Sequence, residues 1–172
     1  MEIKSIDGSF AREVAGVALW NGLSTGELEQ IRDAWTESGL LVFRRQALSE
    51  KEIVEVSAMF GKPIVIHRTD WVSPEHPEVI LVSNMKDQDN KQIGMPGSND
   101  VDWHTDQSYV ANPSTGAMLY AVEIPNDGGG STWWTNMRVG YDDLPADLKT
   151  QCTGKRAILS YVKRLSGYNE QA

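Results

Sequence analysis

Residues 99–141, NDVDWHTDQSYVANPSTGAMLYAVEIPNDGGGSTWWTNMRVGY, constrain this chain most, because they alone combine metal-ligating side chains, a turn-rich loop and dense aromatics. At their head stands Trp103-His104-Thr105-Asp106, within a run that also carries Val101, Tyr109 and Val110. The alternation predicts a strand over 101–110. Residues two apart on a strand project from the same face, so His104 and Asp106 would turn one way and Trp103 and Tyr109 the other. One imidazole and one carboxylate are two of the three groups in the 2-His-1-carboxylate set that holds Fe(II) on one side and leaves positions open. The same pair also suits zinc, or a hydrogen-bonded histidine on a half-buried strand in a barrel that only binds a small molecule.

Upstream, the pattern is a scaffold. Short apolar alternations at residues 2–6 and 14–17, separated by Asp7-Gly8, predict two strands. Ser24 with Glu27 forms a capping box, and Leu28, Ile31 and Trp35 repeat at helical spacing up to Gly39. Residues 40–43 suit a buried strand. Ser49 with Glu52 opens a second helix through Ile53, Val56 and Phe60 to Gly61. From Pro63 the character turns to β, at 64–66 and 79–82, followed by a polar stretch, 84–100, long enough to act as a loop covering a site. Further strands are expected at 116–122, 132–135 and 157–162, with Asn136 capping a helix.

Three glycines, Gly128 to Gly130, precede Ser131-Thr132. No Lys-Ser/Thr pair follows them, so a tight β connection is preferred to a phosphate cradle. His67 beside Arg68 could meet an anion, whereas His76, between Pro74 and Pro77, reads as a turn residue.

Charge and cysteine content narrow the function. Sixteen basic against 24 acidic residues give a net charge of −8, which disfavours nucleic acid and anionic membranes as partners. A single cysteine, Cys152, leaves no internal disulfide, and no basic-then-apolar leader opens the chain, so a cytoplasmic setting is expected. No apolar run approaches the ~20 residues of a membrane span. At 172 residues the chain is expected to form a single domain.

The Trp-His-Thr-Asp core, the Pro113-x-x-Gly116-Ala-Met-Leu strand, the Gly129-Gly130-x-Thr132 turn, Trp134-Thr-Asn136 and Phe60-Gly-Lys-Pro63 together resemble the taurine dioxygenase family of Fe(II)- and 2-oxoglutarate-dependent oxygenases. The resemblance covers nearly the whole chain. It implies an α+β, mainly β fold: a double-stranded β-helix (jelly roll) with flanking helices. It implies His104 and Asp106 as metal ligands, Thr132 as a residue holding 2-oxoglutarate, and His67, Asp100 and Trp134 as substrate-site residues. Fe(II), 2-oxoglutarate and O2 would be the cofactors, a small polar or charged organic molecule the substrate, and a homo-oligomer the assembly. The family's second metal histidine and its 2-oxoglutarate-pairing arginine fall about a hundred residues further on, and no histidine follows His104. The 172 residues are therefore expected to be a domain incomplete at its C-terminal part.

Overall fold

The computed structural model describes residues 1–66, 69–97, 101–126 and 128–160. They fall into two compact units: residues 1–100 with 118–136, and residues 101–117 with 137–172.

The first unit is built on a β-α-β arrangement. Strands β1 (Glu2–Ser5) and β2 (Arg12–Ala15) pair antiparallel, Ile3 opposite Val14, with Gly8 supplying the left-handed turn residue between them at φ 69°. After a short 3-10 turn, Leu19–Asn21, helix α1 (Thr25–Ser38) carries the chain back so that β3 (Leu41–Val42) lies parallel to β2. Helix α1 begins where it does because Ser24 and Glu27 satisfy each other's backbone. The Glu27 carboxylate accepts from Ser24 N at 3.0 Å, and Ser24 Oγ accepts from Glu27 N at 3.3 Å. It stops at Gly39, which takes a left-handed conformation at φ 78° and donates its N–H to Trp35 O at 2.7 Å.

Helix α2 (Glu50–Ala58) repeats the device with Ser49 and Glu52, at 2.7 and 3.3 Å. In both boxes the serine hydrogen bonds hold the glutamate pKa below its ordinary value, the side-chain hydroxyl first and the backbone second. The inward face of α1 presents Ile31, Ala34 and Ser38, one helical stripe, while β2 presents Val14. Ile31, Val14 and Val56 of α2 are the largest fully buried side chains, and each contributes roughly 2 kcal/mol by leaving water. Trp35 and Phe60 close the side of this core edge-to-face, ring centroids 5.8 Å apart at 89°.

Of the stretch 84–100, read from sequence as a loop long enough to cover a site, the described residues 84–97 form a hydrogen-bonded ribbon. Strands β4 (Val82–Ser83) and β5 (Met95–Pro96) pair in parallel, and Lys86 bridges Gln92. At the tip, Asp87 Oδ1 accepts from the N–H groups of Asp89 and Lys91, both at 2.9 Å, an Asx turn that replaces strand pairing. Gln92 Nε2 ties the ribbon back to Ser83 O at 2.8 Å.

In the second unit, α3 (Met137–Asp142) starts directly after Asn136, and α4 (Ala146–Cys152) follows Pro145, whose fixed φ of −53° suits a helix entry. Lys149 Nζ donates to Asp142 O at 2.6 Å and lies 5.7 Å from the Tyr141 ring centre, joining the two helices. Among the described residues no helix is long and apolar enough to cross a membrane.

The strands expected at 101–110, 116–122, 132–135 and, within the described residues, 157–160 do not form. Alternation gives a segment the tendency to be a strand, but a strand exists only when its N–H and C=O groups find a ladder partner. The chain therefore shows mixed helices and small sheets, with β1 to β5 all before residue 97.

Candidate metal-ligand pair and its surroundings

His104 and Asp106 come together, although by a different route from the strand expected. Residues 106–110 form a turn in which Gln107 adopts φ 52°, an uncommon conformation for a residue with a side chain, and Val110 N donates to Gln107 O at 3.1 Å. Within this bend His104 Nε2 lies 3.3 Å from Asp106 Oδ1. The other ring nitrogen, Nδ1, lies 2.8 Å from the carbonyl oxygen of Asp102. A carbonyl only accepts, so this contact requires the proton on Nδ1. Sequence could not have singled out Asp102, because its contribution is a main-chain oxygen available from any residue type.

The tautomer has a chemical consequence. With Nδ1 protonated, Nε2 of the neutral ring is left as an acceptor 3.3 Å from Asp106 Oδ1, so the two atoms together offer a pair of donors to one cation. Two cis ligands at ~2.1 Å from one metal stand about 3.0 Å apart at a right angle and about 3.4 Å apart at the tetrahedral angle. The observed spacing fits that range. A carbonyl behind the distal nitrogen is also how metal-ligating imidazoles are commonly oriented. Both side chains remain accessible, 40% exposed for His104 and 66% for Asp106, so a metal ion could reach them. Among the described residues no group of three or more His, Cys, Asp or Glu gathers to hold a metal, so the pair supplies two donors.

Thr132 and Trp134 belong to the first unit, both exposed, Trp134 by 51%. They follow the glycine loop, where Gly128 and Gly130 take φ of 77° and 69°, left-handed positions that explain glycine there. The tight β connection preferred from sequence does not form, since neither flanking segment is a strand among the described residues. His67 and Asp100 lie outside the described residues. His76 sits in the turn expected of it, its N–H donating to Ser73 Oγ at 3.2 Å.

The family model described as taurine catabolism dioxygenase TauD, TfdA family matches residues 2–171. Pentalenolactone F synthase of Streptomyces avermitilis is 34% identical over 172 residues, spanning 99% of this chain and 55% of that protein. The (S)-phenoxypropionate/alpha-ketoglutarate-dioxygenase of Sphingobium herbicidovorans is 29% identical, over 99% of this chain and 58% of its own length. A crystal structure of a putative alpha-ketoglutarate-dependent taurine dioxygenase from Burkholderia xenovorans superposes with a TM-score of 0.70 at 27% identity, covering 89% of this chain and 51% of that one. The chain thus spans a little over half the length of these curated relatives.

Proposed function

The chain belongs to the taurine catabolism dioxygenase (TauD, TfdA) family, and from that membership we propose that the whole protein is an Fe(II)- and 2-oxoglutarate-dependent oxygenase that hydroxylates a small polar or charged organic substrate. The observation that carries the proposal is the His104–Asp106 pair, whose 3.3 Å spacing and Nδ1-fixed tautomer suit two cis metal ligands. Bound there, Fe(II) with 2-oxoglutarate and O2 supplies the oxidising chemistry: one oxygen atom enters the substrate C–H bond, the other enters succinate, and CO2 leaves.

The chain's own residues hold and orient. His104 offers Nε2, kept in line by the Asp102 carbonyl, and Asp106 offers an anionic oxygen that offsets the metal's charge. Thr132 donates its hydroxyl to a carboxylate of 2-oxoglutarate. Trp134 forms an apolar wall that keeps water from the reacting C–H. Asp100 and His67 contact the substrate, and the carboxylate at Asp100 favours a cationic or hydrogen-bond-donating group there. Relatives almost twice as long support a third metal ligand and a 2-oxoglutarate-pairing arginine outside these 172 residues.

We read the fold of the whole protein as a jelly roll with flanking helices, to which residues 101–135 contribute strands. Val101, Trp103, Leu119, Val122 and Ile124 support this, because each is apolar and at least 60% exposed, as side chains that pack inside a barrel or against its flanking elements would be without those partners. In the same reading residues 1–172 belong to one dioxygenase domain, and the enzyme is cytoplasmic and homo-oligomeric.

The test is succinate formation by the full-length protein. Supplied with Fe(II), 2-oxoglutarate, O2 and a panel of small carboxylates, sulfonates and amines, it is expected to form succinate, and the Asp106→Ala variant to form none. Hydrolysis of a panel member without any consumption of 2-oxoglutarate would select a metal hydrolase instead. Undiminished succinate formation by Asp106→Ala would overturn the ligand assignment.

A further inference from the structure

The segment that carries Thr132 is fastened to the first unit by a few side chains. Residues 118–136 form neither helix nor strand among those described, yet they meet the scaffold near both ends. At one end Tyr120 OH accepts from Leu48 N and donates to Gln46 O, both at 3.1 Å, and Met118 Sδ lies 3.8 Å from Ser57 Oγ of α2. At the other end Asn136 Nδ2 donates to Ser38 O at 3.4 Å.

Both landing points are firm. Gln46 is itself tied down, its Oε1 accepting from Leu19 N at 3.0 Å and its Nε2 donating to Val17 O at 3.1 Å, and Leu48 immediately precedes the Ser49 cap of α2. Ser38 closes α1, is only 6% exposed, and bears one of the last-turn carbonyls that a helix cannot satisfy internally. The Asn136 amide therefore meets an acceptor that needs a donor.

We propose that Tyr120 and Asn136 are positioning residues for 2-oxoglutarate binding, acting through the segment between them to hold the Thr132 hydroxyl in place. The inference rests on the role proposed above for Thr132. Asn136 is four residues from Thr132, a reach of at most about 14 Å of extended chain, so releasing its anchor frees the threonine directly. Placement within about half an ångström is what a binding group requires, and side-chain ties at the two ends of the segment contribute to it.

The experiment is calorimetric titration of 2-oxoglutarate into the full-length, Mn(II)-loaded protein, in wild type, Thr132→Ala, Asn136→Ala and the double variant. Asn136→Ala is expected to raise the Kd about fivefold, the loss of one neutral hydrogen bond. In the Thr132→Ala background the same substitution is expected to change nothing further, because the group it positions is gone. Asn136→Asp keeps the side chain's shape while removing the donor, and Tyr120→Phe removes the other tie. Both are expected to follow Asn136→Ala and serve if that variant does not fold. An unchanged Kd in the Asn136 and Tyr120 variants, or an equal rise with and without Thr132, overturns the proposal. If Thr132→Ala alone leaves the Kd unchanged, the reading of Thr132 fails and the positioning role falls with it. If Thr132→Ala weakens binding and the anchor variants do not, only the positioning role fails.

Discussion

Gly94→Ala tests how tightly the ribbon at 82–97 is built. Gly94 has φ +70°, and a Cβ placed on it would lie 2.3 Å from Leu81 O, 2.7 Å from Leu81 Cβ and 2.9 Å from Leu81 C. Carbon and oxygen atoms in contact need a little over 3 Å, so the new methyl group overlaps main chain that no rotamer change can move. Relief requires the strands to part, and the first bond to stretch is Met95 N to Leu81 O, now 2.7 Å long. Holding alanine in the left-handed region costs about 1 kcal/mol, and losing that hydrogen bond costs about 1 kcal/mol more. If Gly97 N to Ser83 O, at 3.1 Å, goes with it, the local loss reaches about 3 kcal/mol. Amide hydrogen exchange reads this directly. The Met95 and Gly97 amides should exchange on the order of a hundredfold faster in Gly94→Ala, while amides of α1 keep their protection. Wild-type exchange rates at Met95 and Gly97 in the variant would refute the close approach and the ribbon built on it.

Three further outcomes follow from the same structure. Ile31→Ala, at a fully buried position, should lower unfolding free energy by about 3 kcal/mol in urea titrations, and a loss under 1 kcal/mol would contradict its place in the core. Glu27 and Glu52 have pKa values lowered in the fold, so the stability they add is present above the unfolded value of about 4.3 and fades as pH falls through the folded one. Helix content should accordingly drop on acidification below about pH 4.3, and less steeply in Ser24→Ala/Ser49→Ala; identical acid titrations would argue against the capping boxes. Lys149→Met removes the tie to Asp142 O and the cation over Tyr141, and should speed exchange in α4 severalfold, about 1 kcal/mol of local stability; unchanged exchange would show the tie to be idle.

What could be read from sequence is local, and what could not is pairwise. Ser24 with Glu27 and Ser49 with Glu52 identify helix starts because cap and partner lie three residues apart, and Gly39 identifies an end because one residue's φ decides it. The turn between β1 and β2 was legible in Asp7-Gly8 for the same reason. By contrast, the alternation at 101–110 and 116–122 states only which face a strand would bury, not whether a neighbour exists to pair with it. The polar run at 84–97 hid its order in a single Asx turn at Asp87 and a close backbone approach at Gly94, neither of which has a hydrophobic signature. The nearness of His104 to Asp106 was legible from their spacing, although a turn, rather than a pleated strand, creates it. The Asp102 carbonyl and the anchors at Tyr120 and Asn136 depend on contacts that no local pattern encodes.

Oxygenase chemistry in this protein requires His104 and Asp106 to be metal ligands. Anaerobic calorimetric titration of Fe(II) into the full-length protein, wild type against His104→Ala, tests it most directly. One Fe(II) per chain is expected to bind the wild type, with affinity reduced on the order of a hundredfold or more in the variant, beyond what the loss of a supporting group alone produces. Equal affinity in the two proteins would contradict the ligand assignment and the oxygenase chemistry derived from it.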